Sequence, residues 1–172
     1  MAISKALLHR YQSAMINKQL VIDRLISQLE TSLEIAVQSA KHAHQDATHE
    51  QSKAETQYDS LGIEMAYLAE GQSKRIESLR QDIHVLQETQ FPNQHEQVKL
   101  GHLVHLVDCQ ADTPLWVFIL PVAGGNKVVL DDVVCQIVTP NAPIAKKLLK
   151  QFVGDEIRFD WLAKEYEIYE LI

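Results

Sequence analysis

The sequence predicts an α+β protein: an N-terminal antiparallel coiled-coil hairpin, then a small domain with an antiparallel sheet and one short helix. Three observations predict it. The first 61 residues contain neither Gly nor Pro beyond the start, and apolar residues recur there at three- and four-residue steps. A second stretch with the same period runs to Leu86 and stops at Phe91-Pro92. After Pro92 the apolar residues gather in short runs separated by Gly, Pro, Asn and Asp.

The first arm is expected from about Lys5 to His49, with Leu25, Leu29, Ala36, Ala40 and Ala43 on one stripe. About 45 residues at about 1.5 Å each give roughly 68 Å. The second arm carries Met65, Leu68, Ile76, Leu79, Ile83 and Leu86. Helices of this length cannot bury an apolar stripe alone, and folding back on each other solves the problem. A reversal near Ala54 sets Leu25 near Ile83 and Ala43 near Met65. Small residues at Ala36, Ala40 and Ala43 predict close approach of the helices. Gly62 and Gly71 each cost up to about 1 kcal/mol of helix propensity, which close contact would explain. The reversal reads DATHEQSKAETQYD, Asp46 to Asp59, polar and without a glycine turn, with Ser52 and Thr56 as candidate caps. The expected domains are 1–91, with its tip near 50–57, and 92–172.

In the second domain, strands are expected at 98–109, 115–122, 128–130, 133–138, 157–161 and 166–171, the last two as a hairpin. Gly124-Gly125-Asn126 reads as a hairpin turn, since it lacks the spacing and Lys-Ser/Thr ending of a phosphate loop. Asn141 is a candidate cap for a helix over 144–151. Trp116, Phe118 and Trp161 are expected in the core or at its rim. Cys109 and Cys135 fit two buried free thiols, because two cysteines at that distance make neither a metal motif nor a disulfide scaffold.

Composition narrows the function. Of 172 residues, 46% are apolar and 23% charged, ordinary globular values. The net charge of −7 divides into −3 for residues 1–90 and −4 for 91–172, so neither half offers a duplex a basic face. No stable binding of free DNA is expected. No signal peptide or membrane-length apolar run is visible, so the cytoplasm is the expected compartment and no membrane partner is expected.

The stretch VTPNAPIAKKLLKQFVGDEIRF, Val138 to Phe159, followed by EYEIYEL, Glu165 to Leu171, resembles the Gre family of bacterial transcript cleavage factors. Thr139, Pro140, Pro143, Ile144, Ala145, Leu148, Leu149, Gly154 and Asp155 match the family pattern. Ala142 stands for its usual Ser and Lys150 for its usual Gly. The resemblance implies an FKBP-like second domain that binds RNA polymerase, and a coiled coil that enters the secondary channel and meets the nascent RNA indirectly. It implies no enzyme in isolation. Acidic tip residues would instead help the polymerase active site hold a shared Mg2+, for which carboxylates are suitable hard ligands. No tightly bound cofactor is expected.

The candidate tip carboxylates are Glu50 and Glu55, then Asp46 and Asp59, with Glu50 and Glu55 as metal ligands only within the polymerase complex. The family tip reads D-x-x-E-N. Here Glu55 takes the second acidic position, while Ser52 and Thr56 replace the Asp and Asn. Two functions stay open: stimulation of transcript cleavage, or regulation of the polymerase without it. Lys146, Lys147 and Lys150 are candidate polymerase contacts. Two weaker readings complete the set. One is a transition-metal face made by His42, Asp46 and His49. The other is prolyl isomerisation, which would need an open apolar cleft lined by aromatics. His102 and His105, three apart, are expected on opposite faces of a strand.

Overall fold

A computed structural model describes residues 16–50, 59–92 and 96–172. Two long helices come first, α1 over Lys18–Glu50 and α2 over Asp59–Glu88. At about 1.5 Å per residue their 33 and 30 residues extend about 50 and 45 Å. Within the described residues α1 begins later than the absence of Gly and Pro suggests, at an N-cap: the Asn17 side-chain oxygen accepts the Gln19 N–H at 2.8 Å. Inside α1, Thr31, Ser32 and Ser39 donate to the carbonyl four residues back, and Thr89, just past α2, does the same to Val85, which satisfies hydroxyls that would otherwise be left idle.

The chain divides into two compact units. One comprises residues 26–84; the other comprises residues up to Leu25 together with 85–172. In the first unit, the described residues buried are Leu29, Ala36 and Ile83, with Ala40, Ile76 and Leu79 half-buried. These are members of the expected stripes. Gly71 does not serve close packing: a Cβ there would meet nothing within 4 Å.

The second unit is built on a six-stranded sheet: β1 (Leu103–Asp108), β2 (Pro114–Ile119), β3 (Lys127–Leu130), β4 (Val133–Val138), β5 (Glu156–Phe159) and β6 (Lys164–Leu171). Their order is β3-β4-β2-β1-β6-β5. The sheet is antiparallel apart from the β2–β4 pair, which is parallel. That pair changes the role of Gly124-Gly125-Asn126. The segment joins β2 to β3, which are not neighbours, and is therefore not a hairpin turn. The hairpin is β3–β4, turned at Asp131-Asp132 with Asp131 at φ 49°. β1 starts later than expected because Lys99–His102 makes a turn. Gly101, at φ 85°, is required in it, since a Cβ would lie 2.7 Å from Pro92 Cδ.

A short helix, α3 (Pro143–Leu148), covers part of one face of the sheet. Ala145 and Leu148 pack there with Val104, Leu106, Val117, Ile119, Ile157, Phe159 and Ile168. Its N-cap is Ala142, without a side-chain hydrogen bond. Asn141 stands one residue too early, because Pro143 fixes the first helical position. On the other face Leu103, His105, Trp116, Phe118, Cys135 and Ile137 are buried. Phe91 reaches Phe118 at 5.7 Å between ring centroids. His105 stacks on Trp116 at 4.0 Å, whereas His102 precedes β1 and accepts the Lys99 N–H at Nδ1. Trp161 is half exposed, in a single 3-10 turn (Asp160–Leu162).

The β1–β2 connection is held by Asp108. Its buried carboxylate accepts the N–H groups of Gln110 and Ala111, each at 2.9 Å, and meets Lys164 Nζ of β6 at 2.7 Å. The Ala111 N–H first, then Lys164 and the Gln110 N–H, hold this carboxyl down at about 2, against an ordinary 3.8. The same contact raises Lys164.

Two sets of measurements check this packing. Gly71→Ala should raise stability by about 1 kcal/mol in urea titration, because the helix gains propensity in open space. Lys150→Gly should do the same by a similar amount, because Lys150 holds φ 73° where a Cβ is strained. Thermal melts against pH test Asp108. A carboxyl lowered on folding contributes stability that is complete above pH 3.8 and fades as pH falls through 2. Wild type should therefore lose more stability than Asp108→Asn over that acid interval. The Lys164 contribution should fade only as pH rises past 10.5.

Candidate functional site

The four candidate carboxylates fall around the connection between α1 and α2. Asp46 and Glu50 belong to the last turns of α1, and Asp59 opens α2. Their side chains, and Glu55 altogether, lie outside the described residues. His42 is exposed on α1; Asp46 and His49, its partners in the expected metal face, have side chains outside the described residues. Among the described residues, no three of His, Cys, Asp and Glu converge as a metal site.

The second unit offers a cleft of about 390 Å³, lined by Gly124, Gly125, Asn126, Lys127, Gln136, Ile137, Val138, Thr139 and Ala142. Its shape follows from two local constraints. Gly124 approaches Thr139 so closely that a Cβ would stand 2.9 Å from Thr139 Cγ2. Gly125 donates to the Ile137 carbonyl and Ile137 donates to that of Asn126, which ties the glycine loop to the end of β4. The Thr139–Pro143 loop thus forms one wall and the double glycine the other. No aromatic residue is among those that line this cleft. The double glycine was legible in the sequence as a turn. Its use as a cleft wall was not, since that depends on the parallel β2–β4 pairing.

The exposed residue Val129 faces Val134 across β3–β4, near the cleft residues Lys127 and Gln136 of the same hairpin. Lys146, Lys147 and Lys150 are all exposed. They are not equivalent. Lys147 leans to Asp160 at 3.5 Å, a weak surface pair. Lys150 follows α3 in a left-handed conformation, with its N–H donated to the Val98 carbonyl.

The two thiols differ. Cys135 is buried, and burial pushes it up to about 12. Cys109 is exposed, contrary to the sequence reading, because it stands just past the end of β1. Its thiol is still raised, first by desolvation and then by the carboxylates of Glu156, Glu165, Glu167 and Asp108.

No protein-family model and no curated protein matches the sequence. Among solved structures the chain is similar to GreA factor homolog 1 (Gfh1) of Thermus thermophilus, with 21% identity over 86% of this chain and 94% of that one and a TM-score of 0.36. It is also similar to Gfh1 of Thermus aquaticus, with 23% identity over 84% and 92% and a TM-score of 0.37. These values describe a likeness and no more.

Thiol titration checks the cysteine environments. In native protein at neutral pH one thiol, Cys109, should react, more slowly than a free cysteine and faster as pH rises. Cys135 should react only in denaturant. Two reactive thiols in the native state would contradict the buried environment of Cys135.

Proposed function

We propose that this protein is an RNA polymerase-binding transcription regulator of the Gre type. In this reading it enters the polymerase secondary channel with its helical pair and acts there without supplying cleavage chemistry of its own. The supporting observation is the slenderness of the 26–84 unit. Among the described side chains of this unit, at 26–42 and 70–84, only Leu29, Ala36 and Ile83 are buried. A helical pair with its described side chains so largely in water suits a narrow passage. The Thr139–Pro143 loop, which carries the sequence resemblance, borders the open cleft and is the candidate polymerase-docking surface, with the nearby lysines as supporting contacts. Localisation in the cytoplasm, where a bacterial polymerase works, belongs to the same proposal. Among the described residues no helix is long and apolar enough to cross a membrane.

The absence of the family's first tip Asp, with Ser52 in its place, favours regulation over cleavage. The acidic residues Glu50 and Glu55 near the reversal keep stimulation of cleavage as a second reading. In that case Glu50 and Glu55 would share the polymerase's Mg2+, with Asp46 and Asp59 beside them.

The test is transcript cleavage by a backtracked polymerase complex in Mg2+, run beside competition with a factor known to occupy the secondary channel. The regulatory reading expects displacement of that factor with no gain in cleavage. Enhanced cleavage that disappears in the Glu50→Ala, Glu55→Ala double variant would move the assignment to the second reading. A protein that neither competes nor cleaves would defeat both.

A further inference from the structure

Strand β5 is an edge of the sheet: among the described residues it pairs with β6 alone. The neighbouring ladder shows which of its backbone groups face outward. Glu165 gives its carbonyl to the Cys109 N–H, towards β1, whereas Ile168 exchanges bonds with Gly154 and Asp155, towards β5. Residues of an antiparallel strand alternate between its two sides. Lys164 and Tyr166 therefore bond Phe159 and Ile157, their partners in the register. Glu156 and Arg158 are left turning N–H and C=O to the open edge. Their side chains are exposed, while Ile157 and Phe159 are buried.

Edge strands are commonly guarded by charge, and a repeated sign keeps copies apart. Here the signs alternate. Glu156 and Arg158 stand two residues apart, so the edge is complementary to itself when run antiparallel. Within one chain the arrangement is unfavourable, because Glu156 faces Glu167 across the ladder. Arg158 faces Glu165 across the same ladder and makes a loose surface pair with Asp160 at 3.7 Å. The other edge, β3, has a single charged residue in its four.

We propose that β5 pairs with β5 of a second copy of this chain about a two-fold axis at Ile157, which makes the sheet continuous across both copies. In that register Glu156 of each copy lies opposite Arg158 of the other. The outward N–H and C=O groups of these residues then meet as hydrogen-bonded pairs. Glu156 gains an arginine on the side away from Glu167. Beyond the strand, Trp161 and Leu162 in the turn after it, and Val153 and Phe152 before it, flank the junction at its two ends. These apolar side chains are 52%, 45%, 45% and 50% exposed, and they bracket β5 on both sides. Gln97 already bridges to Phe152, so the new ladder is confined to the strand and the flanks contribute side chains.

Sedimentation equilibrium of the full chain tests this. Wild type should show a concentration-dependent equilibrium between monomer and dimer. Glu156→Arg and Arg158→Glu should each weaken it by about tenfold, because each reversal sets like charges together twice. Mixing the two variants should restore association as a heterodimer, and circular dichroism melts should show both folded. Wild type that stays monomeric at its highest soluble concentration overturns the proposal. So do single variants that associate undiminished, or a mixture that fails to associate.

Discussion

Strand β1 is the constraint on which the second unit depends. All six of its residues are buried, and it lies between β2 and β6 in the middle of the sheet. A strand buried on both faces needs cover on both, and the chain supplies it differently on each side. On one side Val104 and Leu106 meet the short helix α3 and its cluster. On the other, Leu103 and His105 share a face with Trp116 and Phe118, against which Phe91 packs. The last residue of the strand, Asp108, carries a charge into this environment. The charge is tolerable because two backbone N–H groups and Lys164 meet it. That contact joins the turn after β1 to the strand on its other flank.

The two compact units answer to different demands. The sheet unit buries large side chains such as Trp116, Phe118 and Phe159 nearly completely. In the 26–84 unit most of the described side chains stay in water. A helical pair of that kind gains its regularity from propensity and a narrow stripe rather than from a thick core. A role in reaching a partner is consistent with that economy. The open cleft beside Thr139 then belongs to the unit able to hold a surface in fixed shape.

Much of this was legible in the sequence because the signals were local. The three- and four-residue spacing of Leu25, Leu29 and Ala36 placed them on a buried stripe, and Pro92 marked the end of the second arm. The strands were found to within a few residues wherever β-branched runs met turn residues. What escaped depends on contacts distant in sequence. No local signal at Gly124-Gly125 says that β4, rather than β3, will lie beside β2. Cys109 looked buried because the apolar run continues up to it, yet the turn held by Asp108 begins there. Lys150 gave no warning of its left-handed backbone except through the glycine that the resembling family places at that point. For the candidate tip, the sequence supplied residue types, whereas the convergence of carboxylates is a matter of side-chain register that spacing alone does not fix.

The position of β6 has a consequence for how the chain acquires its structure. Val104 pairs with Leu171, 67 residues later in sequence, and this ladder lies at the centre of the sheet. The helices and the β1–β2 and β3–β4 hairpins can form from neighbouring residues as the chain leaves the ribosome. The central ladder cannot, and closing so wide a loop is an entropic cost that local contacts do not reduce. Until β6 arrives, β1 presents an apolar, hydrogen-bonding edge to anything nearby, the kind of surface on which nascent chains aggregate. Assembly of this unit is therefore late, and its most vulnerable state is the one in which β1 has formed and β6 has not yet paired with it.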